Sequence, residues 1–246
     1  MSVIAVYSVK GGVGKTTLSA NLAWYAAVVG GHRTLLWDLD AAGGAAFLTG
    51  LDSARKKRAG SLFARERDPA SLIRQTAYPG LDVLPADESL WALDRQLTSL
   101  GKKRRLAKIA EALGREYPRI VLDCPPVLNE VSAQALRAAD LVVVPLPPSP
   151  LSARAFDLVA DAVRETGKGH PPMLPVLSMV DRRRALHRDA MAAHPGWPVI
   201  PWSSAIEQCA VRRAPAGTFA RSAPGARCIE ALWQGIEHKL SGATSR

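Results

Sequence analysis

The sequence is short of cysteine, of aromatic side chains, of acidic charge and of any long uninterrupted apolar run. Its three cysteines, Cys124, Cys209 and Cys228, are odd in number, far apart and without a CxxC pair, which argues against a disulfide framework or a zinc site and fits a reducing compartment. No apolar stretch approaches the about 20 residues needed to cross a bilayer. The first residues run into the strand-like "VIAVYS" with no basic region and no cleavage motif, so a soluble, unprocessed, cytoplasmic chain is expected. Acids number 22 against 32 lysines and arginines, a net charge of +10. Arginine supplies 23 of those 32, which favours a polyanionic partner over a small acidic substrate. There is no internal repeat, no low-complexity tract and no convincing linker, so one domain is expected over 1–246, with "SGATSR" (241–246) as a disordered tail.

What is present is a 48% hydrophobic chain whose apolar residues fall in short blocks: 3–8, 34–40, 81–86, 119–125, 141–147 and 173–180. Blocks that are apolar throughout, rather than alternating, suit a parallel sheet covered on both faces. Helical patterns fill the gaps at 15–30, 88–116, 130–139, 152–166, 183–193 and 226–240. The alternation predicts an α/β fold, a single doubly wound, mostly parallel sheet with helices on both faces. The polar stretch 52–69 reads as a surface insertion around a short helix.

The most informative segment is "YSVKGGVGKTT", residues 7–17. A strand, a glycine-rich turn and a helix gather backbone N–H groups and a helix N-terminus around one small volume suited to phosphates. Gly11, Gly12 and Gly14 let the backbone turn tightly, Lys15 reaches the terminal phosphates and the Thr16 hydroxyl suits Mg²⁺. The general phosphate-loop pattern asks for glycine at position 9, where Val9 stands, followed by a second lysine, Lys10. K-G-G-x-G-K-T-T resembles instead the deviant Walker A motif of the ParA/MinD family of ATPases.

That resemblance implies a P-loop fold, ATP and Mg²⁺ as cofactors, and nucleotide contacts from Lys10, Gly11, Gly12, Val13, Gly14, Lys15, Thr16 and Thr17. It gives Lys10 a purpose, a cation supplied across a dimer interface to the partner's nucleotide. "LLWDLDAAGG" stands where the family has D-x-D-P-Q-G; by resemblance Asp40 orients the attacking water and Asp38 sits near the metal, with Ala41 and Ala42 a departure in the loop. "RIVLDCPP" has the form of a Walker B strand in which Asp123 holds Mg²⁺ through water. "VLSMVDRRR" and "VIPWSS" resemble segments that form part of the adenine pocket in relatives, which makes Ser178, Asp181 and Pro201 candidates.

From Arg182 to Arg227 there are eight arginines against two acids, Asp189 and Glu207, a pattern suited to phosphate-backbone contact without base reading. By resemblance to the ParA branch, Arg182, Arg183, Arg184, Arg212, Arg213 and Arg221 are candidate contacts for non-specific DNA, with Lys102 to Arg105 a second basic cluster. The family also implies a homodimer with ATP and a ParB-like or cargo-linked activator, in the segregation or positioning of a plasmid, a chromosome or a large assembly. A MinD-like membrane-associated ATPase is the rival reading and needs a basic amphipathic last helix; 226–240 carries Glu230 and Glu237 opposite its apolar face and reads as a packing helix. An iron–sulfur reductase lacks its cysteines, a tyrosine kinase lacks its tyrosine tail, and a non-catalytic scaffold remains open.

Overall fold

The computed structural model describes residues 1–52, 68–87, 89, 90, 97, 104–167 and 169–243. Its centre is an eight-stranded sheet in the order β3-β4-β2-β5-β1-β6-β7-β8: β1 (Ser2–Val6), β2 (Thr34–Asp38), β3 (Arg74–Gln75), β4 (Leu81–Leu84), β5 (Arg119–Asp123), β6 (Leu141–Leu146), β7 (Met173–Val180) and β8 (Val199–Pro201). Every pairing is parallel except that of β3 with β4. The strands of the middle are buried nearly throughout, β2, β4 and β6 at every residue and β1 and β5 at all but the first, which is why their sequences do not alternate.

Helices cover both faces. On one, α3 (Arg105–Leu113), α4 (Glu130–Ala138) and α5 (Pro150–Arg164) pack over Val3, Leu35, Ile120 and Val142. On the other lie α1 (Lys15–Trp24), α2 (Gly44–Leu48), α7 (Ser204–Arg212), α8 (Ala216–Phe219) and α9 (Pro224–Ala243), while α6 (Ala185–Ala193) connects β7 to β8 and buries only His187. Of these, α1, α2, α7 and α9 supply the second core around Ile4, Leu36 and Val143. The doubly wound architecture is therefore as the apolar blocks imply. The strand order reverses direction about β1, which lies between β5 and β6, and ligands bind at the carboxyl edge of such a switch point.

Several boundaries differ from the sequence expectation. α1 stops at Trp24 and the chain continues as a single wider turn, Tyr25–Val29. β3 and β8, two and three residues long, are too short to be read from periodicity, and α7 lies outside the expected helices. The expected helix over 183–193 begins at Ala185, with Arg182, Arg183 and Arg184 in the loop before it. Ser241–Ala243 extend α9 where a tail is expected from 241, because Leu240 is still seated in the core; 244–246 lie outside the described residues. So do 53–67 of the expected insertion, Lys102 and Lys103, and parts of the helical pattern 88–116. Along α9, Ile229, Leu232, Trp233, Ile236 and Leu240 are all buried, and the two acids opposite them pair with Arg221 and Arg119. Among the described residues no helix is long and apolar enough to cross a membrane.

Candidate nucleotide-binding site

The loop after β1 opens on the carboxyl edge. Gly12 and Gly14 adopt φ 71° and 90°, a left-handed backbone that a side chain strains, and a Cβ added at Gly11 or Gly12 would meet nothing within 4 Å. The glycines thus face open space, a cleft of about 370 Å³ lined by Gly11, Gly14, Lys15, Thr16, Asp40 and Met179 among others. Lys15 crosses its mouth, donating from Nζ to the Lys10 carbonyl at 3.0 Å. Burial pushes the Lys15 ammonium below its ordinary pKa, opposed by the charges of Asp123 and Asp40. An anion in this cleft would relieve that desolvation.

Close to Lys15 and Thr16 lie buried carboxylates. Asp38 and Asp123 are register partners at the ends of β2 and β5, and both are buried. Asp123 Oδ1 accepts from Ser19 Oγ at 3.0 Å while Oδ2 has no hydrogen-bond partner. Burial raises the Asp123 carboxyl to about 7, opposed by the neighbouring Thr16 and Ser19 hydroxyls. Asp38 is raised well above the carboxylate range by burial and then by Asp123, although its oxygens accept from Asp40 N at 3.1 Å and Ala45 N at 2.9 Å. Two acids side by side, one with an orphaned oxygen, and a threonine hydroxyl beside them are the donor set Mg²⁺ uses when water and phosphate complete its coordination. No group of three or more His, Cys, Asp or Glu able to hold a metal occurs among the described residues, so these side chains fit a partly hydrated ion shared with a phosphate. Asp40 sits farther out, its carboxylate accepting from Ala42 N at 3.1 Å and lining the cleft.

A second, more apolar cleft of about 160 Å³ adjoins the first, lined by Val13, Thr17, Pro145, Ser178, Pro201 and Trp202 with their neighbours. Met179 borders both clefts and holds a left-handed φ of 54°. Ser178 Oγ donates to Val13 O at 3.2 Å and so braces the loop. Asp181, the third residue expected in this pocket, does not line it; Arg183 takes both its oxygens at 2.9 Å and holds its carboxyl down near 2. Sequence reasoning also misses Tyr7, Ser19 and Met179. Tyr7 donates to Val127 O at 3.0 Å, fixing the loop after β5. Ser19 has a legible signal, four residues after Lys15 on the same helix face; Met179 has none.

Lys10 is outside its own cleft. Its Nζ lies 3.5 and 3.4 Å from the hydroxyls of Ser149 and Ser152 at the start of α5, where the positive end of the helix makes a poor seat for a cation. The candidate DNA arginines divide. Arg183, Arg213 and Arg221 are paired with Asp181, Asp52 and Glu230, whereas Arg182, Arg184 and Arg212 are exposed with no carboxylate partner among the described residues. Arg182 to Arg184 follow β7 at the carboxyl edge, and Arg212 ends α7, a nine-residue helix running about 13 Å away from that edge. They are not one cluster.

The AAA domain family (AAA_31) matches residues 1–170. Over 146 residues the chain is 36% identical to the sporulation initiation inhibitor protein Soj of Bacillus subtilis, a match taking in 58% of this chain and 57% of that protein. It is 34% identical over 196 residues to the chromosome partitioning protein ParA of Caulobacter vibrioides, 76% of this chain and 72% of the relative. Among solved structures, the cobyrinic acid a,c-diamide synthase of Mycobacterium smegmatis with bound ATP analog and magnesium superimposes with a TM-score of 0.79 at 25% identity, covering 98% of this chain and 97% of the other.

Proposed function

The chain belongs to the ParA/MinD family of P-loop ATPases, and on that premise we propose that it is a Mg²⁺-dependent ATPase that dimerises on ATP, holds DNA non-specifically as the dimer and lets go when a partner stimulates hydrolysis. The observation that carries this reading is Lys10. Its ammonium is parked on Ser149 and Ser152, away from the cleft that Lys15 already serves, in a seat the α5 dipole weakens. A lysine so placed is available to another subunit's phosphates.

Within the site, the residues 11–17 cradle the phosphates and Lys15 contacts the terminal ones. Thr16, Asp38 and Asp123 would hold Mg²⁺, which when bound supplies positive charge against the phosphate oxygens. Asp40, at the rim of the cleft, orients the attacking water. Val13, Thr17, Ser178 and Pro201 flank the adenine, a role for which Asp181 is badly placed. The exposed Arg182, Arg184 and Arg212 are the better-supported DNA contacts. The work served is segregation or positioning of a plasmid, a chromosome or a large protein assembly, in the cytoplasm on the nucleoid, with a ParB-like or cargo-linked activator. Against the MinD-like alternative, the apolar face of α9 is spent in the core and unavailable to a bilayer.

The reading is tested by binding to two unrelated duplexes across a salt series, with a non-hydrolysed ATP analogue and with ADP. ATP-dependent binding of both is expected. Arg212→Ala should flatten the slope of log affinity against log salt by about 0.9 per lost contact, and by twice that in a symmetric dimer. Equal binding with ATP analogue and ADP, or none with either, contradicts the proposal.

A further inference from the structure

The carboxylate of Asp38 is aimed by α2. Its Oδ2 accepts the Ala45 N–H at 2.9 Å, and Gly44 sits so close to Thr16 that a Cβ there would come within 2.9 Å of the threonine methyl. Where α2 lies therefore sets both the acid and its spacing from the Thr16 hydroxyl. Yet α2 has five residues, too few to hold a position unaided. Its inner face offers Ala45, Ala46 and Leu48 to the core, mostly small side chains that define a location loosely.

From outside, α2 and the turn after it are gripped by Arg213. The guanidinium lies 4.8 Å from the centre of the Phe47 ring, and Nη2 donates to Asp52 Oδ1 at 2.9 Å. The Arg213 carbonyl faces Gly50, where an added Cβ would come within 3.7 Å. Arg213 makes these contacts under strain: it caps α7, one residue past the helix, with φ 52°, and its Nε is buried without a hydrogen-bond partner. Strain kept at one residue is a pointer to a task, and an arginine present only as surface charge needs neither feature. The corner behind it is tied to the phosphate loop, since Asn21 accepts from Ala216 N at 2.8 Å and donates to Thr17 O at 2.8 Å.

We infer that Arg213 is a positioning residue for the metal-side wall of the site, holding α2 through Phe47, Gly50 and Asp52 so that Ala45 keeps Asp38 aimed beside Thr16. The inference rests on the nucleotide reading above, and it removes Arg213 from the DNA-contacting set. Lysine is a poor replacement, because a point charge can pair with Asp52 without lying flat on Phe47.

The test is calorimetric titration of a non-hydrolysed ATP analogue with Mg²⁺ and with EDTA. Arg213→Ala should lower the ratio of the two affinities about tenfold, as loss of an orienting contact behind a metal ligand does, while the EDTA affinity stays within about twofold of wild type. Arg213→Lys should recover part of the loss, and Arg164→Ala, whose guanidinium pairs with Asp161 on α5 and touches no part of α2, should show none of the change. Asp52→Asn, at an exposed position, should lower the ratio less in the same direction and guards against misfolding of the alanine variant. A wild-type ratio in both Arg213→Ala and Asp52→Asn, or an EDTA affinity that falls as far as the Mg²⁺ affinity, overturns the inference alone. Wild-type protein with no Mg²⁺-dependent binding overturns the proposed function and this inference together.

Discussion

The two walls of the cleft are built on different principles. The proposed metal-side wall is polar and set by particular atoms: Ser19 Oγ donates to Asp123 and the Ala45 N–H of α2 to Asp38, and burial holds both acids above their ordinary pKa. The base-side wall is mostly apolar and loosely specified, a surface that includes Val13, Pro145, Pro201 and Trp202 and in which Ser178 is spent bracing the loop. Charge chemistry needs particular atoms at particular places, so few residue types serve. A flat heterocycle needs mainly apolar area, which many side chains supply.

Substitutions can break or sharpen that contrast. The largest effect is expected at the junction of the walls: Lys15→Ala should weaken binding of an ATP analogue about 100-fold, since it removes the charge-assisted contact to phosphate, and calorimetry reads it directly. Asp40→Ala should separate binding from chemistry, lowering kcat about 100-fold with affinity within about threefold, because a group that orients water acts mainly in the transition state; steady-state hydrolysis and binding together check it.

Asp123→Asn tests the wall's strain without ligand. The Asp123 pKa is raised in the folded protein from 3.8 to about 7, so the folded state binds its proton more tightly than the unfolded one. Its contribution to stability is complete at low pH and is lost as pH rises through that window. The amide does not titrate. Metal-free Asp123→Asn should therefore gain about 1–3 kcal/mol over wild type in urea unfolding at pH 8 and less at pH 5. A gap that is larger at pH 5 contradicts the assignment. The smallest effect belongs to the base side, where Met179→Ala should reduce affinity about threefold, equally with Mg²⁺ and with EDTA, in contrast to any change on the metal side.

The same contrast explains what could be read in advance. The sheet was legible because its middle strands are apolar at consecutive positions, and the positions of Lys15, Thr16, Asp38 and Asp123 because they occupy strand ends and a helix start that fix them in space. Asp181 lies one residue beyond β7, but Arg183 two positions on folds back to pair with it, a local pairing that composition does not reveal. Met179 is invisible for the opposite reason, since its value is a backbone turn that a methionine gives no hint of. The arginines were countable but not placeable, because whether an arginine such as Arg213 meets solvent, a carboxylate or a phenylalanine is decided by residues such as Phe47 and Asp52 far away in the chain.

Sedimentation velocity of wild type and Lys10→Ala, each saturated with a non-hydrolysed ATP analogue and Mg²⁺, tests most directly whether Lys10 acts across an interface. Wild type should sediment as a dimer with the analogue and as a monomer with ADP, and Lys10→Ala should bind the analogue with affinity within about threefold yet remain monomeric. A Lys10→Ala dimer as strong as wild type, or a loss of nucleotide binding as deep as that of Lys15→Ala, would contradict a role in trans.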